Sequence, residues 1–162
     1  MTILKFNQYF EKMSPNARIW IYQSNRDFTE IEILEINKIL YNFVESWTAH
    51  GTSLLADAQL ILNRFIVFSV DESQALASGC SIDKSVAIVR QLQQQYNVNL
   101  LDRTQILYIE NEKFKSEHFN DLKEKFSNNL IADSALFFDN TITKLNDFRT
   151  NWLKPILNSW LQ

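Results

Sequence analysis

The chain has 162 residues, of which 46% are hydrophobic, 22% charged and 13% aromatic, enough for one domain with a substantial core and too few for two ordinary ones. Sixteen basic against nineteen acidic residues give a net charge of −3, which argues against a nucleic-acid partner. No apolar run approaches the ~18 residues of a membrane span, the N-terminus lacks the apolar stretch of a signal peptide, and a single cysteine points to a reducing compartment, so a cytoplasmic location is expected.

Residues 1–16 read as an arm that ends in the turn-forming Ser14-Pro15-Asn16. Residues 17–23 alternate in a β-prone run, with Trp20 and Tyr22 facing away from Ile19 and Ile21. Thr29 and Glu32 form a capping box, with Phe28 and Ile33 as its hydrophobic staple. The helix they start runs to about Trp47, with Ile31, Leu34, Leu40, Phe43 and Trp47 at helical spacing. After a loop at 48–53, residues 54–62 form a weak strand and Asn63-Arg64 a tight turn. Residues 65–70 are apolar on both faces, as in a central strand covered twice. A loop at 71–80 leads to Ser81, which is expected to cap a helix over 82–96, and residues 105–110 form a fourth strand.

That order, β-α-β-β-α-β, predicts an α+β protein with a ferredoxin-like core over 17–111. Residues 112–162 are expected to add an α-β-α extension covering the second sheet face, within a single domain. A third helix starts at Ser116 with Phe119, Leu122 and Phe126 on one side. A strand follows at 135–138, and a last helix at 143–153 ends before Pro155. The basic stretch Lys113 to Lys125 also holds Glu117, Asp121 and Glu124 and reads as a solvated helix face. His118 falls in the first turn of that helix as a surface residue.

At ~7% usage a chain of this length would hold about eleven glycines; here there are two, Gly51 beside His50 and Gly79 beside Cys80. Glycine is favoured where φ is positive or backbone must approach something closely. Cys80 sits at the start of the second predicted helix, where unpaired amides and positive potential favour a thiolate or a bound anion. The plainer reading makes Cys80 a small buried hydrophobe and Gly79 a turn residue. If the first and third strands run parallel, the loops at 24–28 and 71–80 share one end of the sheet. Arg26, Asp71, Glu72, Ser78, Gly79, Ser81 and Asp83 then converge on Cys80, with Arg26 adding charge and Asp71 and Glu72 opposing it unless they brace Arg26 or bind a cation; the plainer reading makes Asp71-Glu72 a polar strand exit and Arg26 a surface ion pair. His50 falls at the other end and is expected to be the C-cap of the first helix or a hydrogen-bonded structural residue, with Gly51 at the C′ position. No spacing of His, Cys, Asp and Glu matches a zinc or calcium site. Neither glycine is followed by lysine, which excludes a phosphate-binding loop. The sequence names no cofactor.

Several motifs occur together: Ile19-Trp20-Ile21-Tyr22-Gln23, Asn25-Arg26 with Phe28-Thr29, Trp47 through Gly51, Asn63-Arg64-Phe65, Val70 through Ser73, Ala77 through Asp83, Tyr96-Asn97-Val98, Asp102-Arg103, Trp152, Pro155 and Ser159-Trp160. This set, spanning about residues 17–160, resembles a small bacterial protein family of unassigned activity whose members are often labelled ABC transporter ATPases. The resemblance implies no catalytic residues.

Three functions are compatible with the sequence. The first is a binding domain for a small anionic ligand or a protein partner, using the start of the second predicted helix. The second is a thiol enzyme or redox protein with Cys80 as nucleophile and Asp71 or Glu72 as proton acceptor. The third is a structural protein that forms homo-oligomers through exposed aromatic residues.

Overall fold

The computed structural model describes residues 4–161, so the first residues of the expected arm and Gln162 lie outside it. In chain order the elements are β1 (Arg18–Gln23), α1 (Glu30–Ser46), β2 (Thr48–Ala49), β3 (Thr52–Ser53), β4 (Leu55–Ile61), β5 (Phe65–Asp71), α2 (Gly79–Tyr96), β6 (Gln105–Glu110), β7 (Lys113–His118), α3 (Phe119–Ser127), β8 (Leu136–Phe138), α4 (Leu145–Asn151) and β9 (Leu153–Pro155). The protein is mixed α+β. No helix among the described residues is long and apolar enough to cross a membrane.

The first sheet has the order β1-β5-β4, with both neighbouring pairs antiparallel. Arg18 lies opposite Val70 and Gln23 opposite Phe65. The expectation that the first and third predicted strands run parallel is therefore corrected. The α1 crossover leaves β4 parallel to β1, and the tight turn at Leu62 and Asn63 (φ 53° and 59°) then sends β5 back between them. The exit of β1 consequently sits beside the β4–β5 turn, where Phe28 N–H donates to Asn63 O at 2.8 Å. It does not sit beside the exit of β5.

The fourth predicted strand, β6, leaves this sheet for a second one with the order β7-β6-β8-β9. Other groups fill the outer edge of β1. Ile19 N–H donates to Thr143 O at 2.9 Å, and the Arg103 guanidinium donates to Ile21 O at 2.9 Å. Residues 113–118 are strand, which corrects both the helix start expected at Ser116 and the reading of Lys113 to Lys125 as a helix face. Asn111 and Glu112 both take positive φ (51° and 65°) and turn the chain into β7, opposite β6. The third helix starts only at Phe119, and His118 is its cap, Nδ1 accepting from Asn120 N–H at 3.2 Å.

Each face of β1 and β5 has its own core. Tyr22, Ile66, Phe68 and Val70 pack with Ile36 and Leu40 of α1 and Val89 and Leu92 of α2. Ile19, Ile21, Phe65 and Val67 pack with Leu107, Phe138, Leu145, Phe148 and Trp152. Residues of the C-terminal third pack on the second face together with Phe6, Phe10 and Met13 of the arm. Each such buried side chain contributes about 1.5–3 kcal/mol of transfer free energy. The α1 stripe is rotated from the expected one. Ile36 and Leu40 are buried, while Ile31 and Leu34 are 71% and 72% exposed.

Candidate functional site

The start of α2 is built differently from the expectation. Ser78, not Ser81, is the cap, its Oγ accepting from Ser81 N–H at 3.1 Å. Gly79 and Cys80 therefore lie inside the first turn. Cys80 is exposed, which removes the reading of it as buried packing. Ser81 is fully buried, and its carbonyl accepts from the Trp47 indole N–H at 2.8 Å, tying α2 to the end of α1. Gly79 keeps ordinary helical backbone, and a Cβ placed on it would meet nothing within 4 Å, so no close approach requires glycine there. Asp83 is exposed one turn further on.

The two loop carboxylates are occupied nearby. Glu72 accepts from Ala77 N–H at 2.9 Å and faces Arg18 Nε at 3.5 Å. Asp71 accepts from Ser73 N–H at 3.0 Å, and that bond holds its carboxyl below the usual range.

Arg26 does not join them. Its guanidinium grips Glu32 through two N–H donors at 2.8 and 2.9 Å and donates to Tyr96 O at 2.8 Å. Tyr96 ends α2, whose 18 residues span about 27 Å, so Arg26 and Cys80 sit at opposite ends of that helix. The antiparallel β1–β5 pairing is the reason. There Arg26 adds positive charge at the α2 C-terminus, where the helix dipole favours it. It also draws the Glu32 carboxyl down to about 2, aided by the Thr29 N–H. Burial and the Glu35 carboxylate, which accepts from the Tyr96 hydroxyl at 2.7 Å, push Tyr96 up to about 12.

His50 and Gly51, with φ of 52° and 77°, form the two-residue turn between β2 and β3. Trp47 is the C-cap of α1, so the expected capping role of His50 and C′ role of Gly51 are corrected. The positive φ explains Gly51 without any ligand. Among the described residues no group of three His, Cys, Asp or Glu is placed to hold a metal.

A hollow of about 550 Å³ lies elsewhere, between the second sheet, α4 and the arm. Strand register builds one wall. Phe114 of β7, Ile109 of β6 and Leu136 of β8 are consecutive cross-strand partners and form a single apolar row. Leu4, Phe6, Trp152 and Leu153 complete the apolar lining, while Glu112, Arg149, Thr150 and Asn151 bring polar groups. The Arg149 Nη2 donates to Tyr9 O at 3.3 Å and to Phe10 O at 2.7 Å. Its Nε is buried without an acceptor. Sequence reasoning missed this place. The available signal was Phe114, an aromatic residue inside the otherwise polar Lys113-Phe114-Lys115-Ser116-Glu117-His118.

No family model, curated protein or solved structure matches the chain.

Proposed function

We propose that this protein is a binding domain without covalent chemistry of its own and that it takes a small molecule in the hollow beside Phe114 and Arg149. The observation that carries the reading is the hollow itself. Its ~550 Å³ falls within the range of about 300–1,000 Å³ usual for small-molecule sites, and its lining is mostly apolar with a few polar groups. The fold reading that accompanies it is a ferredoxin-like arrangement whose last strand, β6, has moved into the second sheet; the β1-β5-β4 order supports it. The resemblance to proteins labelled as ATPases adds no residues, and ATP hydrolysis is not part of the proposal. The test is an amide NMR titration with a mixture of small apolar acids, alcohols and amines. Saturable shifts confined to the lining of the hollow are expected. Shifts confined to residues 78–83 would overturn this placement.

A second reading, favoured by the exposure of Cys80, keeps an anion site or a reactive thiol at the start of α2. Asp71 and Glu72, its expected bases, already accept loop amides, which weakens the thiol version. The pH dependence of Cys80 alkylation decides it, since mass spectrometry reads the only cysteine directly. An apparent pKa well below the ~8.5 of a free thiol would favour thiol chemistry; an ordinary value would remove it.

A further inference from the structure

We propose that the occupant of the hollow is a molecule with an apolar body and one anionic head, and that Arg149 is the residue that meets the head. This rests on the ligand-binding reading above and names the class of ligand. The apolar half follows from the row Phe114, Ile109 and Leu136. Phe114 is 53% exposed, which leaves much of an aromatic ring against solvent where a ligand would cover it.

The anionic half follows from the state of Arg149. Its guanidinium is partly withdrawn from water, yet the groups it donates to are two neutral carbonyls, those of Tyr9 and Phe10. Among the described residues no carboxylate lies within ion-pair distance of it, and its Nε has no acceptor. A cation moved part way out of water without a counter-charge is unfavourable. A carboxylate or sulfonate head on Nη1 would supply that charge, and hydrogen bonds between two charged groups are the strong ones. The two carbonyls fix Nη2, so the guanidinium is already oriented before any ligand arrives. Glu112 also lines the hollow, but it sits exposed in the β6–β7 turn. Water and salt screen it more than they screen Arg149. The less screened charge selects the ligand, and it is positive.

The experiment uses the full chain with three probes of one length: decanoate, decanol and decyltrimethylammonium, followed by amide NMR. Decanoate is expected to bind saturably, with shifts at the hollow, and about tenfold tighter than decanol, the effect of one hydrogen bond to a charged group. Arg149→Met should lose the preference for decanoate, so that decanoate and decanol bind that variant alike. If that variant does not fold, Arg149→Lys, which keeps the charge, should retain part of the preference. Thr150→Trp, at an exposed lining position, should block both probes. Equal affinity for decanoate and decanol, or tighter binding of the ammonium probe, overturns the anionic head while leaving the hollow as a binding site. Failure of all three probes, or shifts scattered over the surface, overturns both readings.

Discussion

The guanidinium of Arg26 and the carboxylate of Glu32 face each other through two N–H···O bonds of 2.8 and 2.9 Å, and the same guanidinium holds the last carbonyl of α2. One ion pair thus joins the start of α1 to the end of α2. Glu32 also accepts from Thr29 N–H at 2.8 Å, completing the capping box from the other side.

This arrangement has a definite pH signature. The Glu32 carboxyl falls from an ordinary 4.5 to about 2 on folding, first through Arg26 and then through Thr29 N–H. A carboxyl with a lowered folded pKa stabilises the fold above its unfolded value and loses that contribution as pH falls through the folded value. The wild type should therefore lose stability relative to Glu32→Gln between about pH 4.5 and 2. At neutral pH the variant should be less stable by about 1 kcal/mol. Urea unfolding of both proteins across that pH range checks it. Parallel curves from neutral to acid would show that the pair contributes nothing on folding.

The two glycines should respond to alanine with opposite sign. Gly51 holds φ +77° in the β2–β3 turn, so Gly51→Ala is strained although the space is open, and should cost about 1 kcal/mol or more. Gly79 is helical with nothing within 4 Å of an added Cβ. Gly79→Ala should stabilise by about 0.4–1 kcal/mol. Thermal unfolding distinguishes them, and a destabilised Gly79→Ala would restore the idea that α2 starts against something needing close approach.

Local signals in the sequence were largely legible. The Thr29–Glu32 capping box, the doubly apolar run at 65–70 and the opposite facing of Ile19 and Trp20 each depend on neighbours within a turn or a strand pair. Direction and partnership were not legible. Whether β5 lies parallel or antiparallel to β1 depends on the crossover and hairpin together, and that single choice carried Arg26 to the far end of α2. The β6–β7 turn hid because Glu112 takes a positive φ usually given to glycine, so a hairpin read as the approach to a helix. The hollow was hidden for a related reason: its row needs Phe114, Ile109 and Leu136 from three strands, and Phe114 falls in the stretch Lys113 to Lys125 that reads as a solvated helix face.

The C-terminal third should prove indispensable to the first sheet. Removing residues 112–162 would uncover Ile19, Ile21, Phe65 and Val67, all of which pack against it. The shortened chain is expected to be insoluble or to bind hydrophobic dye without fixed aromatic packing. A soluble 1–111 fragment that unfolds cooperatively would show that the arm alone suffices as cover. Trp152→Ala probes the same face in the full chain. Its side chain is fully buried, and the loss should be about 3–5 kcal/mol.

The second sheet carries its own buried ion pair. Asp139, with a side chain 5% exposed, accepts from Lys154 Nζ at 2.6 Å and from Thr141 N–H at 3.0 Å. Burial pushes its carboxyl up, but the bonds from Lys154 and Thr141 outweigh that and hold it below the usual range. Lys154 is itself only 18% exposed, so Asp139→Asn leaves its charge without a partner. The cost should be about 3 kcal/mol, which at roughly 2–4 °C per kcal/mol lowers Tm by roughly 6–12 °C. Lys154→Met alone strands the carboxylate instead and should also destabilise. The double variant, Asp139→Asn with Lys154→Met, removes both charges, so its loss should fall short of the two single losses added together by 1 kcal/mol or more, an order typical of groups in contact. Strictly additive losses in that cycle would mean that β8 and β9 are held together by their backbone ladder and the Trp152 core, and that the ion pair plays no part.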